Sequence, residues 1–398
     1  MFRALGRPRA AATLLVAGLL AATVAACSSA SSTTSASSSA TAASTAGAAS
    51  TAGAGSSSVA AAQAYAAPYL KAPASIGITS ALKSKPPAGK LLVKLIYPTP
   101  TEQAASQYTA EAAAMIGWKY KAITIAATPE GIQQAFESAL QLSPAPAVIE
   151  EAGYDVATFK SQLAEAKQRG IKVITDSATA PAGPDGISAT LNAPGAAYTD
   201  GKILAAYVIG ESNGNVHAAS FNISSITVIN NFVTGFQAGL KEWCSSCTDM
   251  VVNQQESDLG TDLPQNVVSA LQANPTVNYA VFSFGDMTEG VDQALRAAGL
   301  SSRVKIVGQT ADTSNIAAIK SGAEDAFVSF NNPLLGFETV DAAARLTEGM
   351  TEPASTASWL PEQIITKANS GAILTDSSGQ YYGIQNYAAA FKALWHVG

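Results

Sequence analysis

YAVFSFGDMTEGVDQALRAAGLSSRVKIVGQTADTSNIAAIKSG, residues 279–322, is the stretch on which the reading of the fold turns. Tyr279 to Phe284 is a short apolar and aromatic run of the kind a strand covered on both faces requires. Gly285 breaks it. Asp286 stands three residues before Glu289, the spacing of a capping box, and Val291, Ala294, Leu295 and Ala298 share one helical face before Gly299 supplies a stop. Val304 to Val307 is a second buried strand, followed by the polar run Gly308-Gln309-Thr310-Ala311-Asp312. Strand, helix, strand and helix start thus follow one another, and in an open parallel sheet the carboxyl edge of such strands is where ligands bind.

The alternation extends on either side. Leu91 to Tyr97 reads as a strand, and Thr101 can cap a helix whose Ala105, Tyr108, Ala112 and Met115 recur at helical spacing. Strands are predicted at 120–126, 145–150 and 171–175, separated by a helix opened at Thr128-Pro129 and another capped by Asp155. One unit recurs roughly every 25 to 30 residues, as right-handed strand–helix crossovers require. A polar, Pro/Gly-rich passage from Ser177 to Gly195 interrupts the pattern. It then restarts with a helix at 196–211, a strand at 216–221, a helix at 228–243, a strand core at 250–253, a helix at 261–273 and a further strand at 326–330. Two consecutive series predict an α/β protein of two similar lobes, each a parallel sheet flanked by helices.

The 398 residues suffice for two domains with sizeable cores. With 13 % charged residues and a net charge of −6, the chain carries no basic footprint for nucleic acid. The N-terminus reads as an address. Arg3, Arg7 and Arg9 form a positive region, Thr13 to Val24 an apolar run too short for a comfortable membrane span, and Val24-Ala25-Ala26-Cys27 puts small residues before a cysteine. This resembles a bacterial lipoprotein signal over 1–26, with lipid carried by Cys27; an ordinary secretory signal cut at a nearby Ala-x-Ala site is the plainer alternative. Loss of the three arginines would take the net charge from −6 to −9. The Ser/Ala/Thr/Gly tract over 27–70 is expected to be a disordered tether.

The order of elements and several phrases resemble the type 1 periplasmic substrate-binding proteins, the ribose- and galactose-binding group that serves ABC importers. The phrases are GIKVITD (Gly170 to Asp176), Gly235-Phe236 within the second-lobe helix, AVFSFGD (Ala280 to Asp286) and KIVGQTAD (Lys305 to Asp312). The ending FKALW (Phe391 to Trp395) is similar to that of actinobacterial members. The resemblance covers roughly 90–398 and implies a first lobe of 90–192 plus 331–361 and a second of 193–330 plus 362–398. Three segments would cross between them, near Leu191 to Ala193, Phe330 to Asn332 and Leu360 to Gln363. It implies a small-molecule ligand held in the interlobe cleft by hinge closure, an ABC permease as partner, and a monomer lipid-anchored on the extracytoplasmic face of the membrane. A ligand-sensing receptor of the same fold, coupled to a membrane signalling partner, is the alternative.

Carried over residue by residue, the pattern of sugar receptors departs in places. Their asparagine after the second-lobe strand falls on Gly285, beside Phe284 and Asp286, and their later aspartate on Thr310, with Asp312 two residues on. Their arginine falls on Phe232 and their crossing glutamine on Phe330 or Asn331. The first-lobe aspartate has a counterpart in Asp176 or Ser177. The stacking aromatics fall on Gln103 and Ala104, leaving Tyr97 and Tyr108 as substitutes. Phe in place of Arg and Gln removes bidentate hydrogen bonding and adds apolar surface, so the resemblance implies a sugar or sugar-like ligand with an apolar or aromatic face. Thr101, Glu150 and Ser224 complete the candidate set. Glu150 and Glu151 adjoin on one strand and point to opposite faces, which is not a glycosidase pair; one faces the cleft or both are solvated. Glu102 has the same two readings, and Asn222, Ser224 and Ser225 are expected along the cleft.

Cys244 and Cys247 are expected to form a local disulfide in an exported protein. They sit at a helix C-terminus, the wrong end for a redox-active thiol, and His217 and His396 are not spaced to complete a zinc site. No Walker loop, GxSxG or GxGxxG opens a strand–helix turn, so neither an enzyme nor a cofactor is expected.

Overall fold

Short β-branched and aromatic runs settle as strands where helices can cover both faces, and here they do so in two sheets. The computed structural model describes residues 49–398, apart from 127, 129, 177–181, 184, 193–194 and 352–359 and without the side chains of 49–57 and 152. Ser177, Trp359, Cys27, the signal over 1–26 and the tether up to residue 48 lie outside the described residues.

The first series runs β1 (Leu91–Ile96), α2 (Pro100–Met115), β2 (Lys119–Thr124), α3 (Gly131–Leu140), β3 (Val148–Ala152), α4 (Lys160–Gln168), β4 (Lys172–Asp176) and β5 (Ala189–Leu191), with α1 (Ala49–Ala66) before it. The second runs α5 (Ala196–Glu211), β6 (His217–Asn222), α6 (Thr227–Trp243), β7 (Thr248–Asn253), α7 (Leu263–Ala273), β8 (Tyr279–Phe282), α8 (Val291–Ala297), β9 (Lys305–Gln309), α9 (Thr313–Ser321) and β10 (Ala326–Phe330). Then come α10 (Asn332–Thr347), β11 (Glu362–Thr366) and α11 (Tyr387–Leu394). The first sheet has the order β2-β1-β3-β4-β5 and is parallel throughout; the second has the order β11-β10-β9-β8-β6-β7 and is parallel except for β11 against β10. Strand order reverses between β1 and β3 in one sheet and between β6 and β8 in the other. Those are the switch points at which open α/β sheets leave a crevice.

Several elements differ from the sequence reading for identifiable reasons. Thr99, not Thr101, caps α2: its side chain accepts from the backbone N of Glu102. Asp286 caps no helix, because Gly285–Thr288 winds as a short 3-10 turn and α8 starts only at Val291, after left-handed Gly290. β5 is a short strand inside the polar passage, held by parallel pairing to β4.

The expected tether is also shorter. Residues 49–66 form α1, and Ala62 and Ala66 are buried with Ala205, Ala206 and Ile209 of α5. The approach is close because Gly210 has no side chain: a Cβ there would lie 2.7 Å from Gln63 Cγ. Tyr65 adds an anchor, its ring 4.9 Å from that of Trp243. An alanine-rich run is a good helix former once a partner face exists, which composition alone does not reveal.

Chain passages between the lobes are five rather than three among the described residues. Leu191 ends β5 and Ala196 starts α5; Phe330 ends β10 and α10 packs with the first-lobe core; Leu360 is in that core and β11 in the second sheet. To these are added 71–75, between α1 and the first-lobe residues Ile76, Ile78 and Leu82, and 382–383, between second-lobe Tyr381 and first-lobe Ile384. The tail is therefore divided: α11 does not complete the second lobe, because Phe391 and Trp395 are fully buried among Leu92, Phe337 and Val340 of the first.

Candidate binding cleft

The loops at both switch points meet around a cavity of about 430 Å³. Its first-lobe wall comes from Tyr97 to Glu102 after β1 and Gly153 after β3; its second-lobe wall comes from Ile226 to Ile229 after β6 and Phe284 and Asp286 after β8. The cavity thus follows from strand order: each wall is built from carboxyl ends of adjacent parallel strands. Three aromatic rings face it, those of Tyr97, Phe284 and Phe330. Tyr97 is held by stacking on Tyr154, with ring centroids 5.0 Å apart and planes 7° from parallel.

Two hydrogen bonds join the lobes beside this space. Asp286 Oδ1 accepts from the backbone N of Thr101 at 3.2 Å, which seats a carboxylate on the first turn of α2, where the helix dipole favours it. Tyr108 donates its hydroxyl to Asp376 of the second-lobe tail. Burial pushes the Asp286 carboxyl up to about 6, with hydrogen bonding from Thr101 opposing and Asp312 adding.

Behind the first-lobe wall lies a fully buried cation. Lys94 is opposite Glu150 in the β1–β3 register, and its Nζ is 2.6 Å from Glu150 Oε1, 3.1 Å from Asp176 Oδ2 and 4.0 Å from Glu102 Oε2. Burial alone would lower the lysine's pKa, but the three carboxylates hold it well above its ordinary value. Glu150 also accepts from Thr339 Oγ1 at 3.0 Å. Burial pushes Glu102 up to about 7, with Lys94 opposing and Asp176 and Asp286 adding.

Of the residues singled out from sequence, Tyr97, Thr101, Glu102, Asp176, Phe284, Asp286, Thr310 and Phe330 line the cavity. The other described candidates do not. Phe232 is fully buried between α5 and α6, where its carbonyl lies 2.0 Å from any Cβ placed on Gly201; it is core, and the arginine comparison there carries no ligand meaning. Glu150 belongs to the ion cluster, and Glu151 is buried too, so neither faces the cleft or solvent. Asp312 caps α9, accepting from the backbone N of Ser314 and Asn315 at 2.7 and 2.9 Å. Asn331 caps α10 and donates to the Tyr382 carbonyl, while its neighbour Asn332 lines the cavity. Gln103 and Ser224 are exposed away from it, and Asn222 is tied to Asn230 at 2.6 Å. Ser225 lies outside the wall but supports Glu256, which is part of it, through a 2.8 Å bond.

Gly285 has a steric cause. A Cβ there would stand 2.2 Å from Asn315 Oδ1 and 2.5 Å from the Thr310 carbonyl, so no side chain fits where sugar receptors carry asparagine. Thr310 itself is left-handed, with φ 56°, a conformation uncommon outside glycine and retained where the surroundings enforce it. Asp200 and Glu256 also line the cavity and carry no local signal in the sequence, while Asn192, Glu289 and Gln309, which line it too, lie in the crossing, the capping-box spacing and the polar run read from the sequence. The Cys244–Cys247 disulfide is present after α6.

Fold and cleft together define a two-lobed binding protein. The periplasmic binding protein domain family matches residues 93–351, well over half of the chain, and the chain belongs to that family. A Mycobacterium smegmatis protein solved in complex with β-D-fucofuranose is similar at 21 % identity and a TM-score of 0.61, covering 78 % of this chain and 98 % of its own. The 5-methylthioribose transporter solute-binding protein of Thermotoga lettingae, in complex with 5-methylthioribose, gives 15 %, 0.65, 78 % and 99 % in the same order. The ABC transporter solute-binding protein of Burkholderia graminis in complex with D-arabinose gives 17 %, 0.63, 75 % and 100 %. At these identities the similarity establishes the fold. No curated protein matches the sequence significantly.

Proposed function

We propose that this chain is an extracytoplasmic solute-binding protein, anchored through lipid on Cys27, that captures a sugar or sugar-like molecule with an apolar face and delivers it to an ABC importer. The carrying observation is the cavity of about 430 Å³ whose walls come from both lobes, within the roughly 300–1,000 Å³ of small-molecule sites. A ligand touching both walls favours the closed arrangement only as far as it binds it better than the open one, and the Thr101–Asp286 bond is one contact that exists only when the lobes meet. Tyr97, Phe284 and Phe330 supply the stacking surface for a ring face. Sugars bound by proteins of this fold, arabinose and fucofuranose among them, support the ligand class.

Calorimetric titration of the full-length chain with pentoses, hexoses, their amino and deoxy derivatives, 5-methylthioribose and cyclitols tests this. At least one is expected to bind saturably and raise the melting temperature; failure of the whole panel would sink the reading. Cys27→Ala is expected to release the protein from the membrane fraction, and retention would refute the lipid anchor.

A further inference from the structure

The cleft is chemically one-sided. Its walls carry the carboxylates of Glu102, Asp176, Asp200, Glu256, Asp286 and Glu289, and no lysine, arginine or histidine is among the lining residues. None of the undescribed positions between 49 and 398 is basic either. Lys94, behind the wall, is already committed to Glu150 and Asp176, and reaches Glu102 only at 4.0 Å. One buried lysine thus answers three carboxylates, while Asp286 of the other lobe lines the same cavity and accepts at 3.2 Å from the backbone N of Thr101, the residue next to Glu102. Glu102 Oε2 has no hydrogen-bond partner. Thr101, which lines the same cavity and is only 8 % exposed, likewise keeps its hydroxyl unpartnered.

These walls ask for donors. A sugar hydroxyl both donates and accepts, so it is best served by a wall of mixed groups; an ammonium offers three donors, no acceptor and a positive charge. Surplus negative charge in a low-dielectric cavity excludes phosphates and sugar acids and draws cations. The three rings add faces over which a cation is attracted. We propose that the ligand is an amine-bearing hydroxylated ring, an amino sugar or aminocyclitol, with its ammonium seated between Glu102 of the first lobe and Asp286 of the second. This rests on the solute-binding reading above and narrows its ligand class. An ammonium held by both lobes at once also ties recognition to closure, because the open form cannot bring both carboxylates to it.

The test pairs each amine with its neutral counterpart on the full-length chain at low ionic strength: D-glucosamine with D-glucose, D-galactosamine with D-galactose, and 2-deoxystreptamine with myo-inositol. At least one amine is expected to bind ten-fold or more tighter than its partner, and N-acetylation of that amine to abolish the preference. Glu102→Gln and Asp286→Asn should each remove most of the preference, so that the amine then binds within about three-fold of its neutral partner. If a variant does not fold, as a melting curve shows, the wild-type pairs still decide. Neutral sugars binding as tightly as every amine overturn this inference and leave the solute-binding reading standing; no binding by any compound, neutral or charged, overturns both.

Discussion

Lys94→Met removes the cation that holds the floor of the first-lobe wall together. The side chain is fully buried, with Glu150 at 2.6 Å and Asp176 at 3.1 Å, so its loss leaves two carboxylates, and Glu102 at 4.0 Å, without a counter-charge. Breaking a buried pair from one side costs about 3–5 kcal/mol, since the remaining charge stays desolvated. Methionine nearly matches the volume, which keeps a cavity from contributing. Protonation offers the orphaned carboxyls an escape, so the loss should be largest at pH 8 and smaller at pH 5. Urea unfolding followed by tryptophan fluorescence at both pH values measures it. Adding Glu150→Gln to Lys94→Met should recover a substantial part at pH 8, because a neutral amide replaces the stranded charge. A loss under about 1 kcal/mol at pH 8, or the same loss with and without Glu150→Gln, would refute the electrostatic account.

Gly235→Ala should destabilise by about 3 kcal/mol or more, since the new Cβ would stand 1.9 Å from the Tyr198 carbonyl and force α5 from α6; the urea midpoint reads this directly. Trp395→Ala should cost about 3–5 kcal/mol, because the ring is fully buried, stacked 5.8 Å from Phe337, and donates to Asp341 at 2.8 Å; a loss near zero would show that the tail is not part of the first-lobe core. The free protein should melt higher at pH 5 than at pH 8. Burial raises Glu102 and Glu324 to about 7, and Asp249 and Asp286 to about 6, so each carboxyl binds its proton more tightly folded than unfolded, and that contribution is lost as pH rises through these values. Scanning calorimetry in two buffers checks the sign. The Cys244–Cys247 disulfide closes only a small loop, so reducing it should lower stability by about 2 kcal/mol or less, measurable with and without reductant.

The two series of strands and helices were legible because each apolar run is short, helix-flanked and punctuated by glycine. The cleft was legible in part. Tyr97 directly follows β1, Phe330 ends β10, and Phe284 and Asp286 come within four residues of the end of β8, so their place at the sheet edge is a matter of chain position. Phe232 misled because a helix in the α5–α6 contact has no face that sequence assigns to cleft rather than core. Glu150 misled because its partner, Lys94, is 56 residues away and is brought opposite only by the register of β1 and β3. Asp200, after a crossing, and Glu256, after β7, were missed for the same reason in reverse: which polar residue at a lobe edge turns inward depends on how the lobes meet, and no local pattern encodes that. The helix at 49–66 lies in a tract whose composition reads as linker, and becomes a structural element only against Gly210 and Trp243.

The divided tail and the leading segment bear on how the molecule is made. The first-lobe core joins Ile76 to Leu82, the strands between Leu92 and Leu191, α10, Leu360, and Ile384 to Trp395. Leu82 N donates to the Leu394 carbonyl at 2.9 Å, and Arg345 spans from Asp341 to the Ser80 carbonyl at 2.6 Å. This lobe therefore cannot finish packing until Trp395 joins it, some 300 residues after its first strand. The familiar order in which an N-terminal domain folds first is closed to this chain: the elements from α5 to β10 are contiguous and can pair early, to be completed by α1, β11 and Tyr381, whereas the first lobe waits for Trp395 to close it.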